Sequence, residues 1–412
     1  MTQAILGNAA HPEYGVATIP FPIPRAEYAK CVALLEALEI GGALDRDCQV
    51  QEIRGPWPAL KRLEEQLVNL DELDYLAKRL DSFSSGELAQ FQALAETWDL
   101  RDMTDLINLS FCCQEATVIT DFSDLEAVGR RHYLNTHGSC AFGQEWEDLD
   151  ARETALLLID SGAGTVTPYG VVYDNGATLE PVYDGHHLPC FTYAPAVLTV
   201  ALSSRLEPDN VSQITWLYLP TDEEQLHRAL LRSGIADPAD FHFRLEDSVF
   251  PAAVEAVLDV QLESIYELNR LAQFVDRLQW DQRMKLGAVA AMAEPVNARQ
   301  LRQLAENLDQ FEFAPGVRSP EEYGRYLIRD SGYFAYDPNL EDFYDYEKYG
   351  LQRMAQEQGC FTEQGYLACQ SEQNLDELLW EGMECQKPAE PEMQMGGWCS
   401  KQALMAQIPT LR

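Results

Sequence analysis

The chain has no run of about 18 apolar residues, so it encodes no helix able to cross a bilayer. Its opening, MTQAILGNAAHPEYG, lacks the basic and apolar stretches of a secretory signal, and a cytoplasmic protein is expected. Ten cysteines are present, but no CxxC pair and no framework spacing. Reduced, mostly buried thiols are expected in place of a disulfide scaffold. GxxxxGK[ST] and strand–GxGxxG–helix are absent, so no phosphate cradle is encoded. GxSxG and HExxH are absent as well.

The largest deficit is of positive charge. Thirty Lys and Arg stand against 67 Asp and Glu, a formal net of −37 over 412 residues. Such a chain repels phosphates and is not expected to bind nucleic acid directly. Its natural partners are proteins that bind nucleic acid. Duplex DNA carries one charge per ~1.7 Å, so this excess equals that of roughly 63 Å of duplex. With 46% hydrophobic residues, including 16 Phe, 18 Tyr and 7 Trp, the acidity belongs to a folded protein.

The sequence repeats at a spacing of 195 residues: NLDELDYLAKRL (69–80) aligns with SIYELNRLAQFV (264–275). The same spacing matches Leu106 and Leu109 with Leu301 and Leu304, and Glu126, Gly129 and Arg130 with Glu321, Gly324 and Arg325. It also matches Asp150 with Asp345, Thr167 with Thr362 and Gly170 with Gly365. The expected fold is α+β, two tandem copies of an elongated unit. Each copy has a small α/β element, a helical middle and a C-terminal part of helices and short strands. The first unit is placed at 1–205 with AVLTVALSS (196–204) as a trailing strand, the second at 206–372, and a polar, mobile tail at 373–412. Arg25–Leu38 and Glu223–Ser233 read as the first helices. Leucines every three or four residues from Leu60 to Leu80 predict an amphipathic helix or two short ones. Ser84 with Glu87 reads as a capping box.

His132, His137 and Cys140, and His186, His187 and Cys190, are loose clusters of zinc-type donors. The second copy has Leu327, Gly332 and Ala335 at the places of the first trio, so ordinary structural roles are expected and no metal. Asp and Glu are too abundant for any pair to mark a hydrolase. Matched positions are mostly Leu, Ala and Gly, and neither an enzyme nor a cofactor is predicted. The stretch DSGYFAYDPNLEDFYDYEKYG (330–350) alternates acids with aromatics. Carboxylates fixed there can stand in for phosphates toward Arg and Lys of a partner. The plain alternative is a solvated acidic face over packed aromatics.

Three segments of the second copy carry a resemblance to the ArdA antirestriction family. SIYELNRLAQFVDRL resembles its central xxELNxLAxxLxxL helix. NLDQFEFAPGVRSPEEYGRYLI resembles its stretch ending in a Gly-Arg pair, and DFYDYEKYGLQRMAQEQGCFTEQGYL resembles its acidic, aromatic part with a closing GxFTxxGY strand. DELDYLAKRL, DLEAVGRRHYL and GTVTPYGVVY are weaker versions in the first copy. The resemblance implies an acidic DNA mimic that occupies the DNA-binding groove of type I restriction-modification enzymes and spares incoming mobile DNA. It implies dimerisation, either of two chains or of the tandem copies as an intramolecular pseudo-dimer. The candidate partner-binding residues are Asp330, Asp337, Glu341, Asp342, Asp345 and Glu347, with Glu145, Glu147, Asp148 and Asp150 in the first copy. Asp71, Glu72, Asp74, Asp121, Asp124, Glu321 and Glu322 complete the set. The alternative is a generic acidic module that inhibits another DNA-binding protein or a nuclease.

Overall fold

The computed structural model describes residues 2–138, 143–208, 210–357, 359–370 and Leu379. Cys140 and, Leu379 apart, the tail expected from 373 lie outside them.

The first half opens with β1 (Thr2–Asn8), β2 (Val16–Phe21), α1 (Tyr28–Glu36), β3 (Cys48–Arg54) and β4 (Leu67–Val68). The strands form one antiparallel sheet in the order β2-β1-β3-β4. Three helices follow, α2 (Leu70–Asp81), α3 (Ser85–Thr97) and α4 (Met103–Cys112). Beyond them come β5 (Thr117–Ile119), α5 (Leu125–Thr136), α6 (Gly143–Glu147), α7 (Ala151–Asp160), β6 (Thr165–Thr167) and β7 (Gly170–Tyr173). The second half runs β8 (Leu198–Ser204), β9 (Thr215–Leu219), α8 (Glu223–Arg232), β10 (Phe241–Ser248) and α9 (Ala252–Glu255). It continues with α10 (Ile265–Val275), α11 (Trp280–Ala293), α12 (Ala298–Glu306), β11 (Phe311–Pro315), α13 (Pro320–Arg329), α14 (Tyr346–Glu357), β12 (Cys360–Phe361) and β13 (Gly365–Cys369). The fold is α+β, with many helices and, among the described residues, four small sheets.

Local chemistry explains the middle helices. Asn69 caps α2 by accepting from the N–H groups of Asp71 and Glu72, and Lys78 and Arg79 lie in its last turn. Its Leu70, Leu73, Leu76, Ala77 and Leu80 are buried. The leucine-rich run from Leu60 forms one helix only from Leu70; before it come a short 3-10 turn (Pro58–Leu63) and β4. Ser84 and Glu87 form the expected capping box of α3.

The element order recurs at nearly constant spacing. Helices α2 and α10 start at Leu70 and Ile265, α4 and α12 at Met103 and Ala298, and α5 and α13 at Leu125 and Pro320. The sheets β5-β7-β6 and β11-β13-β12 share one order. Each half has a main core and a smaller satellite core, around Ile119, Leu158 and Tyr173 in the first and around Tyr323, Leu327 and Tyr366 in the second. In both satellites two helices touch through glycine. A Cβ on Gly129 would stand 1.7 Å from the Ala151 carbonyl oxygen, and one on Gly324 would stand 1.9 Å from that of Tyr346. The Gly-Arg pairs noted in the sequence therefore mark close helix crossings.

One segment sits differently from its sequence expectation. Strand β8, read as trailing the first unit, pairs with β9 and β10 and opens the second sheet, as β1 opens the first. RLEP (205–208) follows β8, which pairs with β9. Residues before it pack on the first half: Tyr183 is buried in the first core, with its N–H donating to Asn108. Among the described residues no helix is long and apolar enough to cross a membrane.

The halves meet through α1 and α8. Arg228 of α8 donates to Asp71 (2.9 Å) and to the Gly41 carbonyl (2.6 Å) of the first half. Arg232 reaches the Ala43 carbonyl, Asn69 and the Tyr183 hydroxyl. Arg25 of the first half donates to the Pro220 carbonyl and to Asp276, each at 2.8 Å. Arg228 and Arg232 are nearly fully buried, so these bonds are made away from water, where breaking a pair is costly.

Candidate functional site

The acidic stretch 330–347 joins α13 to α14, two helices that cross at Gly324 and Gly350. The crossing sets the loop at one end of the pair, and its carboxylates are distributed along it. Asp330 follows α13; Asp337 caps a 3-10 turn (Pro338–Phe343) by accepting from the Asn339 N–H at 2.9 Å. Asp345 accepts from the Lys348 N–H at 3.1 Å at the start of α14. Asp330, Asp337, Asp342, Asp345 and Glu347 are exposed and form no ion pair among the described residues. Glu341 differs. It accepts from the Tyr336 and Tyr346 hydroxyls and lies 3.6 Å from Arg329. Those hydroxyls, that of Tyr336 foremost, hold its carboxyl below the ordinary value.

Aromatics underlie part of this loop. Tyr336, Tyr344 and Tyr346 neighbour one another with tilted rings, their centroids 6.0 and 5.7 Å apart. Arg325 lies 5.3 Å from the Tyr346 ring and Arg329 5.2 Å from the Tyr336 ring. Phe343 and Tyr333 are instead exposed.

In the first half Glu145 and Glu147 lie in α6, and Glu147, Asp148 and Asp150 are exposed. Asp150 caps α7 by accepting from the Glu153 N–H at 2.9 Å, the place Asp345 holds before α14. Asp124 caps α5, and Asp121 accepts from both the N–H and the hydroxyl of Ser123, which lower its carboxyl. Glu321 pairs with Arg325 at 2.8 Å, and Glu322 accepts from the Arg318 N–H. All four are exposed and open helices or turns, where a carboxylate answers unpaired N–H groups.

Three of the sequence candidates are not on the surface. Glu72 is buried and held by Arg46 at 3.0 Å and by the Tyr183 hydroxyl at 2.7 Å. Asp74 is buried, accepts from the Ile23 N–H at 2.7 Å and pairs with Lys78. Burial raises its carboxyl above the ordinary value. Asp71 is bound by Arg228 and the Tyr28 hydroxyl at the junction. Helix periodicity shows the reason: α2 is buried on more than its leucine face, because the 178–197 segment and α8 cover its other side. Sequence reasoning missed Arg228 and Arg232. The available signal was two arginines four apart on a leucine-bearing helix in a chain poor in cations.

Of the histidines, His132 contacts the Thr117 hydroxyl at 3.0 Å, His137 stacks on Tyr133 and His187 faces Asp184. The described cysteines are free thiols; Cys31, Cys48, Cys112 and Cys113 are buried and Cys190 is exposed.

Fold and surface together define an acidic α+β protein that presents unpaired carboxylates on helix ends and on one long loop. Residues 213–368 match the family model described as Antirestriction protein (ArdA), so this segment of the chain is similar to that family. No curated protein matches the chain.

Proposed function

We propose that the chain is an antirestriction protein acting as a DNA mimic, which occupies the DNA-binding groove of type I restriction-modification enzymes and blocks their action on incoming mobile DNA. The observation that carries this reading is the set of exposed carboxylates without ion pairs at 330–347, inside the segment that matches the ArdA model. Arg and Lys that grip a phosphate backbone meet on this surface oxygen anions held by a folded scaffold. Inhibition is by occupancy in the cytoplasm; no bond is made or broken and no cofactor is used. The proposed partner-binding set is Asp330, Asp337, Glu341, Asp342, Asp345 and Glu347, with Glu147, Asp148, Asp150, Asp121, Asp124, Glu321 and Glu322, and Glu145 is kept in it from the sequence alone. Asp71, Glu72 and Asp74 leave the set because they are enclosed.

The chain is further read as two tandem ArdA-like units, with the boundary just before β8. The junction of α1 with α8 supports reading them as an intramolecular pseudo-dimer, in which one chain offers a longer charged surface than one unit. The test is a titration of this protein into a type I enzyme bound to labelled target DNA, at two salt concentrations. Displacement near stoichiometry, weaker at high salt, is expected. No displacement at large excess, with capture of a different DNA-binding protein, would favour the generic acidic inhibitor.

A further inference from the structure

The two halves enclose a cavity of about 760 Å³, within the range of small-molecule sites. One wall is aromatic. The rings of Tyr75 and Phe191 meet edge to face at 6.0 Å, Phe191 and Tyr193 lie 6.4 Å apart, and the Phe191 N–H donates to the Tyr218 hydroxyl. This wall already accepts a cation from behind, since the Arg79 guanidinium lies 4.7 Å from the Phe191 centroid.

The charges around the cavity are nearly all matched. Lys78 pairs with Asp74 at 2.6 Å, Arg228 with Asp71 at 2.9 Å, and Arg25 with Asp276 at 2.8 Å. Arg232 lies 4.0 Å from Glu72 and donates to Asn69, Tyr183 and backbone carbonyls, while its buried Nε has no hydrogen-bond partner among the described residues. Asp81 is the exception. It is exposed, lines the cavity, accepts from the neutral Tyr193 hydroxyl at 2.6 Å, and has no ion pair among the described residues.

The recurrence of the fold says what suits Asp81. Asp276 holds the same place after α10 that Asp81 holds at the end of α2. The Arg25 guanidinium bridges Asp276 and the Pro220 carbonyl, just beyond β9. On the other side Asp81 and Pro22, just beyond β2, line the same cavity. Arg25 lies four residues past the end of β2, whereas four past the end of β9 stands Glu223. The second half therefore supplies no arginine to Asp81.

We propose that this cavity binds a small organic cation with a planar guanidinium- or amidinium-type head and an aromatic body. The head pairs with Asp81 as Arg25 pairs with Asp276, and the body lies on Tyr193 and Phe191. Arg25 divides its two N–H arms between Asp276 and the Pro220 carbonyl, and a planar fork offers such rigidly spaced donors where a compact ammonium does not. The inference does not depend on the antirestriction reading.

The test uses benzamidine as probe and benzamide as its neutral isostere, measured by isothermal titration calorimetry on the whole chain. Saturable binding of one benzamidine per chain is expected, with benzamide weaker by about tenfold or more. Asp81→Asn should weaken benzamidine by about tenfold, and Ala194→Trp, at an exposed position of the cavity wall, should block it. Both variants are checked for unchanged circular dichroism, and Tyr193→Phe, which frees Asp81 without removing the ring, should retain binding. The proposal is overturned by absent saturation, by equal binding of benzamide, or by affinities that ignore both Asp81→Asn and Ala194→Trp. Those last outcomes would mean diffuse attraction to an acidic surface.

Discussion

Asp74 and Asn269 occupy matched places in α2 and α10 and do the same work. Asp74 accepts from the Ile23 N–H at 2.7 Å and Asn269 from the Thr221 N–H at 2.9 Å. The second half makes this bond without a charge, so the charge of Asp74 is not what the fold needs there. Its carboxyl is raised by burial, so the folded state keeps a proton that the unfolded chain has released. Its contribution is therefore favourable at low pH and declines as pH rises from the ordinary carboxylate value through the raised one. Asp74→Asn should remove that decline and leave inhibition of restriction unchanged; urea unfolding of both proteins across pH 3 to 7 checks it. Glu341 has the opposite sign. Tyr336 and Tyr346 lower its carboxyl, and Tyr336→Phe should bring it back toward the ordinary value in a carbon-detected NMR titration. An unmoved Glu341 would mean the hydroxyl contact is not made in solution. Single residues were the least legible level of the sequence. A carboxylate that caps a helix, one that seals a junction and one that faces solvent are the same letter, and only the covering of α2 by distant segments tells them apart.

Helices and strands were more legible, because periodicity and capping are local. The capping box at Ser84 and the start of α8 at Glu223 follow from such signals. The place of β8 does not, since an apolar strand pairs equally well with a sheet before or after it, and only the ladder to β9 and β10 decides. The sheets also differ in a way no pattern shows. Where β4 covers the outer edge of β3, the side chain of Gln261 covers β10, accepting from the Phe243 N–H and donating to the Phe241 carbonyl. The Gly-Arg repeats were visible as repeats, and their cause is steric. Gly324→Ala would press a methyl group against the Tyr346 carbonyl at 1.9 Å. It should cost about 2 kcal/mol as α13 and α14 separate. Unfolding by urea measures this, and a variant as stable as the parent would remove the close crossing from the account.

At the scale of the whole molecule, the junction turns two halves into one charged body. Its strength rests on arginines, which a chain with a net of −37 spends sparingly. Arg228→Ala leaves Asp71 nine-tenths enclosed without its cation and should cost about 3 kcal/mol. Small-angle scattering should then show a larger, more variable particle; an unchanged profile would mean that other contacts hold the halves together. Overall charge and the 195-residue spacing of matched residues were plain in the sequence, but the distribution of carboxylates over the surface was not, because it depends on which helix faces are covered.

The central claim is that many exposed carboxylates act together in place of phosphates. The measurement that tests it most directly is displacement of DNA from a type I enzyme by two sets of variants at one salt concentration. One set neutralises Asp330, Asp337, Asp342, Asp345 and Glu347 singly, and the other neutralises all five at once. Single changes should shift the displacement midpoint by about twofold or less, and the five together by more than tenfold, since exposed pairs are each worth under about 1 kcal/mol. A single substitution that abolishes displacement with the fold intact, or a fivefold variant as potent as the parent, would contradict the claim.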